Sequence, residues 1–210
     1  MVKDFYIKIK KYGVKRSFLI FLAKISKTKI DKFHYLKMDI DYLDALKQFK
    51  YISISIKELT YNDFLLGDKN VFTEVKLRGI KKRCNDPTYK AYGIIKNGKL
   101  IYSTWLSLSN VGLPIKLDYA LLLSEEGLLE DSYCHPLERG KGLHSMMNFF
   151  RIKKLYELGK TKCIAIVLDG NKPAYNVQMK SGFKDLGCFY AGTLLGIPFC
   201  TLYKKKYDCR

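Results

Sequence analysis

Acidic residues are scarce in this sequence: 20 Asp plus Glu stand against 38 Lys plus Arg, a formal net charge of +18. That deficit can draw polyanions, whether nucleic acid, an acidic membrane surface or a phosphorylated ligand. Arginine is scarce as well. Only positions 16, 78, 83, 139, 151 and 210 carry it, so the excess is lysine. A guanidinium fork suits bidentate phosphate and base contacts better than an ammonium does. The balance therefore reads as a solvated basic surface before it reads as a nucleic-acid interface. No two of the six cysteines (84, 134, 163, 188, 200 and 209) have CxxC spacing, and no metal-like partner set surrounds any of them. A chain of 210 residues can bury a core without disulfide staples. Free thiols in a reducing cytoplasm are the simplest account. Long apolar runs are missing too. Phe18–Ala23 is short and Lys24 follows at once, so no secretory signal is expected. The longest uncharged window, Gly187–Tyr203, contains Gly192, Gly196 and Pro198 and reads as two strands and a turn rather than a membrane span. There is no internal repeat and no low-complexity segment.

What is present reads as one domain with a small basic appendage, divided here as residues 1–32 and 33–206. In the appendage, Lys15–Ile25 places Phe18, Leu19, Leu22 and Ile25 at helical spacing. Such a helix can cap the domain by its apolar face or lie on a membrane surface. Lys32–Ile40 reads as a strand and Asp41–Phe49 as a helix. Residues 57–90 hold helical fragments and a polar loop at Lys81–Thr88. Ala91–Lys96 and Lys99–Leu106 flank Asn97-Gly98, the preferred pair for a type I′ hairpin turn. A further antiparallel strand is expected at Lys116–Leu123. Gly127–His135 reads as a strand, and Leu137–Gly142 as a tight turn. A helix over Leu143–Leu158 carries Leu143, Met147, Phe150 and Leu158 near one face and stops at Gly159. Cys163–Leu168 is a near-continuous apolar run, as in a strand buried on both faces. A second helix opens at Asp169–Pro173 and ends near Ser181-Gly182. Strands Phe183–Tyr190 and Ile197–Lys205 close the chain. The fold class is α+β (mixed α/β), with a right-handed crossover joining parallel strands at 127–135 and 163–168.

The segment Arg139-Gly140-Lys141-Gly142 carries the chemistry. It leads into a helix N-terminus, where the first N–H groups lack internal partners and the helix dipole is positive. Gly140 and Gly142 remove side chains, so an anion can approach the backbone. Arg139 and Lys141 add charge. The result suits a phosphate or pyrophosphate. In isolation the same glycines serve equally well for a sharp reversal. The spacing is neither GxxxxGK[ST] nor GxGxxG, since residue 145 is Ser.

Cys134-His135-Pro136-Leu137-Glu138-Arg139-Gly140-Lys141-Gly142-Leu143-His144 resembles the Arg/Gln-x-x-Gly-x-Gly/Ala signature of the GNAT acyltransferase superfamily. Asn171, Ala174, Lys180, Gly182 and Phe183 match its second signature. The likeness covers residues 90–205 well and 33–90 loosely. It is nearest to bacterial small-molecule acetyltransferases.

The resemblance implies a mostly antiparallel mixed sheet flanked by helices, with the strands 127–135 and 163–168 splayed apart. It implies acetyl-CoA as acyl donor and direct transfer, in a ternary complex, to a primary amine of a small molecule such as an amino sugar. Backbone amides from Arg139 through Gly140, Lys141, Gly142 and Leu143 to His144 are expected to hold the CoA pyrophosphate. The strand at Tyr133, Cys134 and His135 is expected to pair with the pantetheine arm, which Asn171 also contacts. The N–H of Cys134 would polarise the thioester carbonyl. Two positions depart from the pattern. His144 stands where Gly or Ala is usual. Gln178 stands where a Tyr general acid is usual, and Tyr175, one helical turn earlier, is a weak substitute. A cytoplasmic enzyme is implied; a homodimer is left open.

Acyl transfer needs a neutral amine, and a carboxylate commonly removes the proton. Strict alternation puts Glu130, Ser132 and Cys134 on one strand face and Asp131, Tyr133 and His135 on the other. Glu130 is preferred as the base because it shares a face with Cys134; Asp131 and Glu126 are the other candidates. Each reads equally well as a surface or strand-end carboxylate. His135 and His144 flank the turn and can shuttle protons or be structural. His34 has no companions in the sequence. Tyr102 and Trp105 read as core. The competing readings are a GNAT-shaped module that binds CoA without turnover and a basic nucleic-acid or membrane-surface protein.

Overall fold

The structure is a computed structural model and describes residues 28–40, 54–109 and 122–202, together with Val14. The expected helices at 15–25 and 41–49, and most of the expected strand at 116–123, lie outside these residues. Eight strands form one sheet: β1 (Lys29–Asp39), β2 (Lys57–Glu58), β3 (Tyr89–Lys96), β4 (Lys99–Ser107), β5 (Glu126–Cys134), β6 (Lys162–Leu168), β7 (Lys184–Leu194) and β8 (Ile197–Cys200). Within the described segments 54–109 and 122–202, four α-helices accompany them: α1 (Tyr61–Phe64), α2 (Glu74–Cys84), α3 (Leu143–Glu157) and α4 (Lys172–Lys180). The strand order is β2-β3-β4-β5-β6-β1-β7-β8. The β5–β6 pair is parallel and the other pairs are antiparallel. The class is mixed α/β, as the sequence indicates.

Local chemistry explains most boundaries. Asn97 and Gly98 both have positive φ, 51° and 70°, as a type I′ turn between β3 and β4 requires. Thr73 caps α2 by accepting from the Lys76 N–H, and Lys81, Lys82 and Arg83 occupy its negative end. Residues 81–84 are therefore helical, not the start of a polar loop. The apolar run of β6 has Cys163, Ile164, Ala165 and Val167 all buried, with cores on both faces of the sheet. The last described strand ends at Cys200, and residues 203–205 of the expected strand lie outside the described residues.

One core packs under α3 and α4 and includes Leu36, Tyr102, Leu106, Leu129, Met147, Leu155 and Val167. The opposite face carries Phe33, Tyr35, Leu128, Ile164 and Phe189, and beside them Phe64, Phe72, Trp105 and Tyr133 under α1 and α2. The buried face of α3 is Leu143, Met147, Asn148, Arg151, Ile152 and Leu155. The expected Leu158 falls past its end and is 42% exposed. No helix among the described residues is long and apolar enough to cross a membrane.

β1 is inserted between β6 and β7 and pairs antiparallel with both. The first described strand thus stitches together two strands that follow each other late in the chain.

Candidate functional site

The β5–β6 pairing stops early. Glu126–Leu129 pair with Lys162–Ala165, and from Glu130 onward β5 departs from β6. The cause is a bulge. Asp131 has φ 37°, and the register against β4 slips between Trp105↔Glu130 and Ser103↔Tyr133. Opposite Thr104, β5 has one residue too many. This overturns the expected alternation. Glu130 and Tyr133 now share the face of Trp105, while Ser132 and Cys134 lie on the face of Thr104 and Tyr102. Glu130 therefore does not share a face with Cys134, and the reason for preferring it to Asp131 disappears.

Departure opens two connected cavities. The first, of about 590 Å³, runs from Cys134 past Arg139, Gly140 and Gly142 to His144 and on to Asn171 and Val177 of α4. The second, of about 470 Å³, fills the gap between the splayed strands and reaches Glu130, Asp131, Arg151, Ala165 and Gln178. Ser132, His144, Asn171 and Ala174 border both.

At the mouth, a 3₁₀ turn (Pro136–Glu138) carries the chain from β5 to the glycines. Gly140 and Gly142 have φ 78° and 75°, and a Cβ at either would meet nothing within 4 Å. Backbone conformation, not crowding, demands glycine there. Gly142 is the N-cap of α3, which has no side-chain cap and no acidic residue in its first turn. Its leading N–H groups are therefore offered to an outside anion. Arg139 Nε donates to the Cys134 carbonyl at 3.2 Å, and Lys141 pairs with Glu138 at 2.8 Å.

The backbone of Cys134 faces the opened edge. The His135 N–H bonds to the Ile101 carbonyl, so alternation along the antiparallel ladder turns the Cys134 N–H away from β4. Its thiol is pushed up from the ordinary cysteine value, first by burial, and so stays protonated.

Behind the gap lies a chain of buried polar groups. His144 Nδ1 and the Tyr102 hydroxyl are 2.6 Å apart. The Ser132 hydroxyl also bonds to that of Tyr102 and lies 2.9 Å from Thr104 Oγ1. Arg151 donates to Thr104 at 2.7 Å and to Asn148 at 2.8 Å. Asn148 donates to Gln178 Oε1 at 3.0 Å and to Ser181 at 2.8 Å. Burial, and then the charge of Arg151, depress His144 to about 4. The imidazole is neutral near pH 7 and is a poor base.

No family model matches the sequence, and no curated protein matches it. Solved structures do. A protein assigned as a GNAT-family acetyltransferase, from Novosphingobium aromaticivorans, superposes with a TM-score of 0.56 at 11% identity over 78% of this chain and 64% of its own. The chain has the GNAT fold. A Drosophila protein aligns with a TM-score of 0.58 at 13% identity over 84% of this chain and 56% of its own. A conserved protein of unknown function from Staphylococcus epidermidis gives 0.52 at 12% identity, over 81% and 65%. This chain thus spans less than two thirds of the length of each, and the likeness is one of fold.

Within the GNAT fold, most of the residues expected from sequence converge. Tyr133, Cys134, Arg139, Gly140, Gly142, Leu143, His144 and Asn171 line the groove, and Glu130, Asp131 and Gln178 line the gap. His135 and Lys141 line neither. His135 Nδ1 instead accepts from the Leu137 N–H at 3.3 Å. Asn171 caps α4 by accepting from the Ala174 N–H at 3.4 Å. Glu126 is fully buried at the paired end of β5, away from the gap, and lies 3.5 Å from Lys37 Nζ. Arg83 reaches Glu130 at 3.5 Å and Asp131 at 3.7 Å; Lys76 reaches Asp131 at 3.8 Å.

Sequence reasoning missed Thr104, Asn148 and Arg151. A signal was there: His144, Asn148 and Arg151 recur at spacings of four and three, which is one inward helix face. His34 also gains companions. Its ring nitrogens lie 2.8 Å from Asp185 and 3.0 Å from Asp169, at a corner of β1, β7 and α4 outside both cavities.

Proposed function

We propose that the protein is an acyltransferase that moves an acetyl or other short acyl group from CoA to a primary amine of a small molecule, with amino sugars among the acceptors to test. One observation supports this above the others. The glycine turn at the head of α3 and the turned-out N–H of Cys134 border one groove, and that groove opens into the gap where β5 leaves β6. A diphosphate at the turn and an extended thiol arm along β5 fill that shape. The carbonyl then meets the Cys134 N–H, which stabilises the developing oxyanion.

In this reading both substrates are bound together and transfer is direct. The amine loses a proton to the carboxylate pair Glu130 and Asp131, which Arg83 and Lys76 hold in place. The amine nitrogen forms a bond to the acyl carbon and the C–S bond breaks. Gln178 has no acidic proton, and its carbonyl is already engaged by Asn148. The sulfur leaves as a thiolate, to which the Ser132 hydroxyl, backed by Tyr102 and Thr104, offers a hydrogen bond, and it takes its proton from solvent as the carboxylate pair releases the one it removed. Cys134 remains a protonated thiol and serves through its backbone.

Calorimetry with acetyl-CoA tests the donor site. Wild type should bind with a Kd in the micromolar range, about −8 kcal/mol. Gly142→Asp should abolish binding, because its carboxylate would face the diphosphate. Unchanged binding by that variant would sink the reading. Gln178 also supports a second reading, a CoA-binding module without turnover. Tight CoA binding with no thiol release across a pool of amines would favour it.

A further inference from the structure

Arg151 is an oddity that the proposed chemistry does not use. It is 1% exposed. One terminal nitrogen donates to Thr104 and the other to Asn148, both neutral groups. Its Nε has no hydrogen-bond partner. Burial works against its charge, and the groups that favour the charge are Tyr102 and then Cys163. Both are themselves held protonated by burial. Among the described residues no carboxylate forms an ion pair with it. A guanidinium does not escape this by losing its proton. An isolated buried cation is among the costlier arrangements a fold can hold, and it is normally matched by an anion.

Arg151 borders the gap between β5 and β6, together with Ser132, His144 and Gln178. The two carboxylates bordering the same gap are committed elsewhere, to Arg83 and Lys76 on the α2 side of the sheet. The gap is thus polarised from one side of the sheet to the other. An unmatched cation lies on the α3 side, and neutralised acids lie on the other.

We propose that the gap receives a carboxylate and that Arg151 is its counter-charge. This deepens the acyltransferase reading, on which it rests for the identity of the gap as the place where acyl group and amine meet. The carboxylate has two sources. It can be the far end of a dicarboxylic acyl chain carried by CoA. Or it can belong to an amino-acid-like acceptor, whose ammonium would then lie toward Glu130 and Asp131. In either case the site selects an anionic substrate. Thr104 and Asn148 fix the guanidinium plane, so recognition is by a preset fork rather than a mobile charge.

The test uses the full chain, with binding measured by calorimetry at fixed ionic strength. In the donor arm, succinyl-CoA is compared with acetyl-CoA. In the acceptor arm, with CoA present, alanine is compared with alaninamide. We expect one arm to show at least a tenfold preference for the carboxylate, lost in Arg151→Met and partly kept in Arg151→Lys. The first variant should fold, since an apolar side chain of similar length replaces an unmatched charge. A negative wild-type comparison needs no variant to be decisive. No carboxylate preference in either arm overturns the proposal, as does a preference that survives Arg151→Met. Acetyl-CoA binding reports separately on the donor site. If it binds and neither carboxylate is preferred, the carboxylate site is wrong and the acyltransferase reading stands. If acetyl-CoA does not bind but alanine does so through Arg151, the reverse holds.

Discussion

A histidine at the sixth position of the glycine signature is a conspicuous single-residue departure, and its environment gives it a measurable consequence. Burial and Arg151 depress His144 to about 4, below the ordinary value of 6.5. The unfolded chain therefore binds a proton between pH 6.5 and about 4 that the folded chain does not. The contribution is complete above pH 6.5 and is lost as pH falls toward 4, roughly 2–3 kcal/mol after allowing for partial exposure. Wild type should lose more stability than His144→Gln across that window, read as Tm at pH 7 and pH 4.5. The imidazole resonance of His144 should not titrate above pH 5 by NMR. A midpoint near 6.5 would refute the buried, uncharged ring. The spacing of Arg139, Gly140, Gly142 and Asn171 made the groove legible in the sequence. The inner chain was legible only in part, as the inward helix face that carries His144, Asn148 and Arg151. Thr104, Asn148 and Arg151 acquire their roles by meeting across β4, α3 and α4, and no linear spacing encodes that meeting.

Among the elements, β5 decides the geometry of the site, and one residue decides β5. Asp131 sits at φ 37°, a conformation that glycine tolerates, Asp and Asn accept, and β-branched residues resist. Asp131→Gly should keep the bulge and hold or raise stability by up to about 1 kcal/mol. Asp131→Val should lower it by roughly 1–3 kcal/mol, or push the strand back into register and close the gap. Urea midpoints of the two variants read the difference, and equal midpoints would mean the bulge stores no strain there. The same residue shows why sequence reading stopped where it did. Most of the strands, the Asn97-Gly98 hairpin and the helices α3 and α4 follow from periodicity and turn chemistry, whereas α2 is read only as helical fragments and a polar loop. A bulge adds one residue to one strand and leaves the apolar pattern almost unchanged. Strict alternation carried through Asp131 therefore puts Glu130 on the wrong face. The place of β1 between β6 and β7 was equally hidden, because pairing between distant strands is set by burial in three dimensions.

Across the whole molecule the dominant electrostatic fact is the net charge of +18. Most of the ion pairs seen join partly exposed side chains, such as Lys153–Glu157 and Lys162–Glu125, and pairs of that kind contribute between nothing and about 1 kcal/mol each. Salt weakens such pairs, but it also screens the repulsion among the surplus lysines, which acts against the compact state throughout. The second effect should win. Raising NaCl from about 0.05 to 0.5 M shortens the screening length from over 10 Å to a few ångströms. A relief of about 1 kcal/mol would raise Tm by roughly 2–4 °C in a domain of this size. The same screening should weaken acetyl-CoA binding, since a polyphosphate approaching a basic surface loses long-range attraction. Stability and affinity therefore move in opposite directions with salt. Calorimetric scans and titrations along one salt series test both. A fall in Tm would show that specific ion pairs outweigh the lysine surplus. An affinity indifferent to salt would show that the glycine turn binds through backbone amides alone.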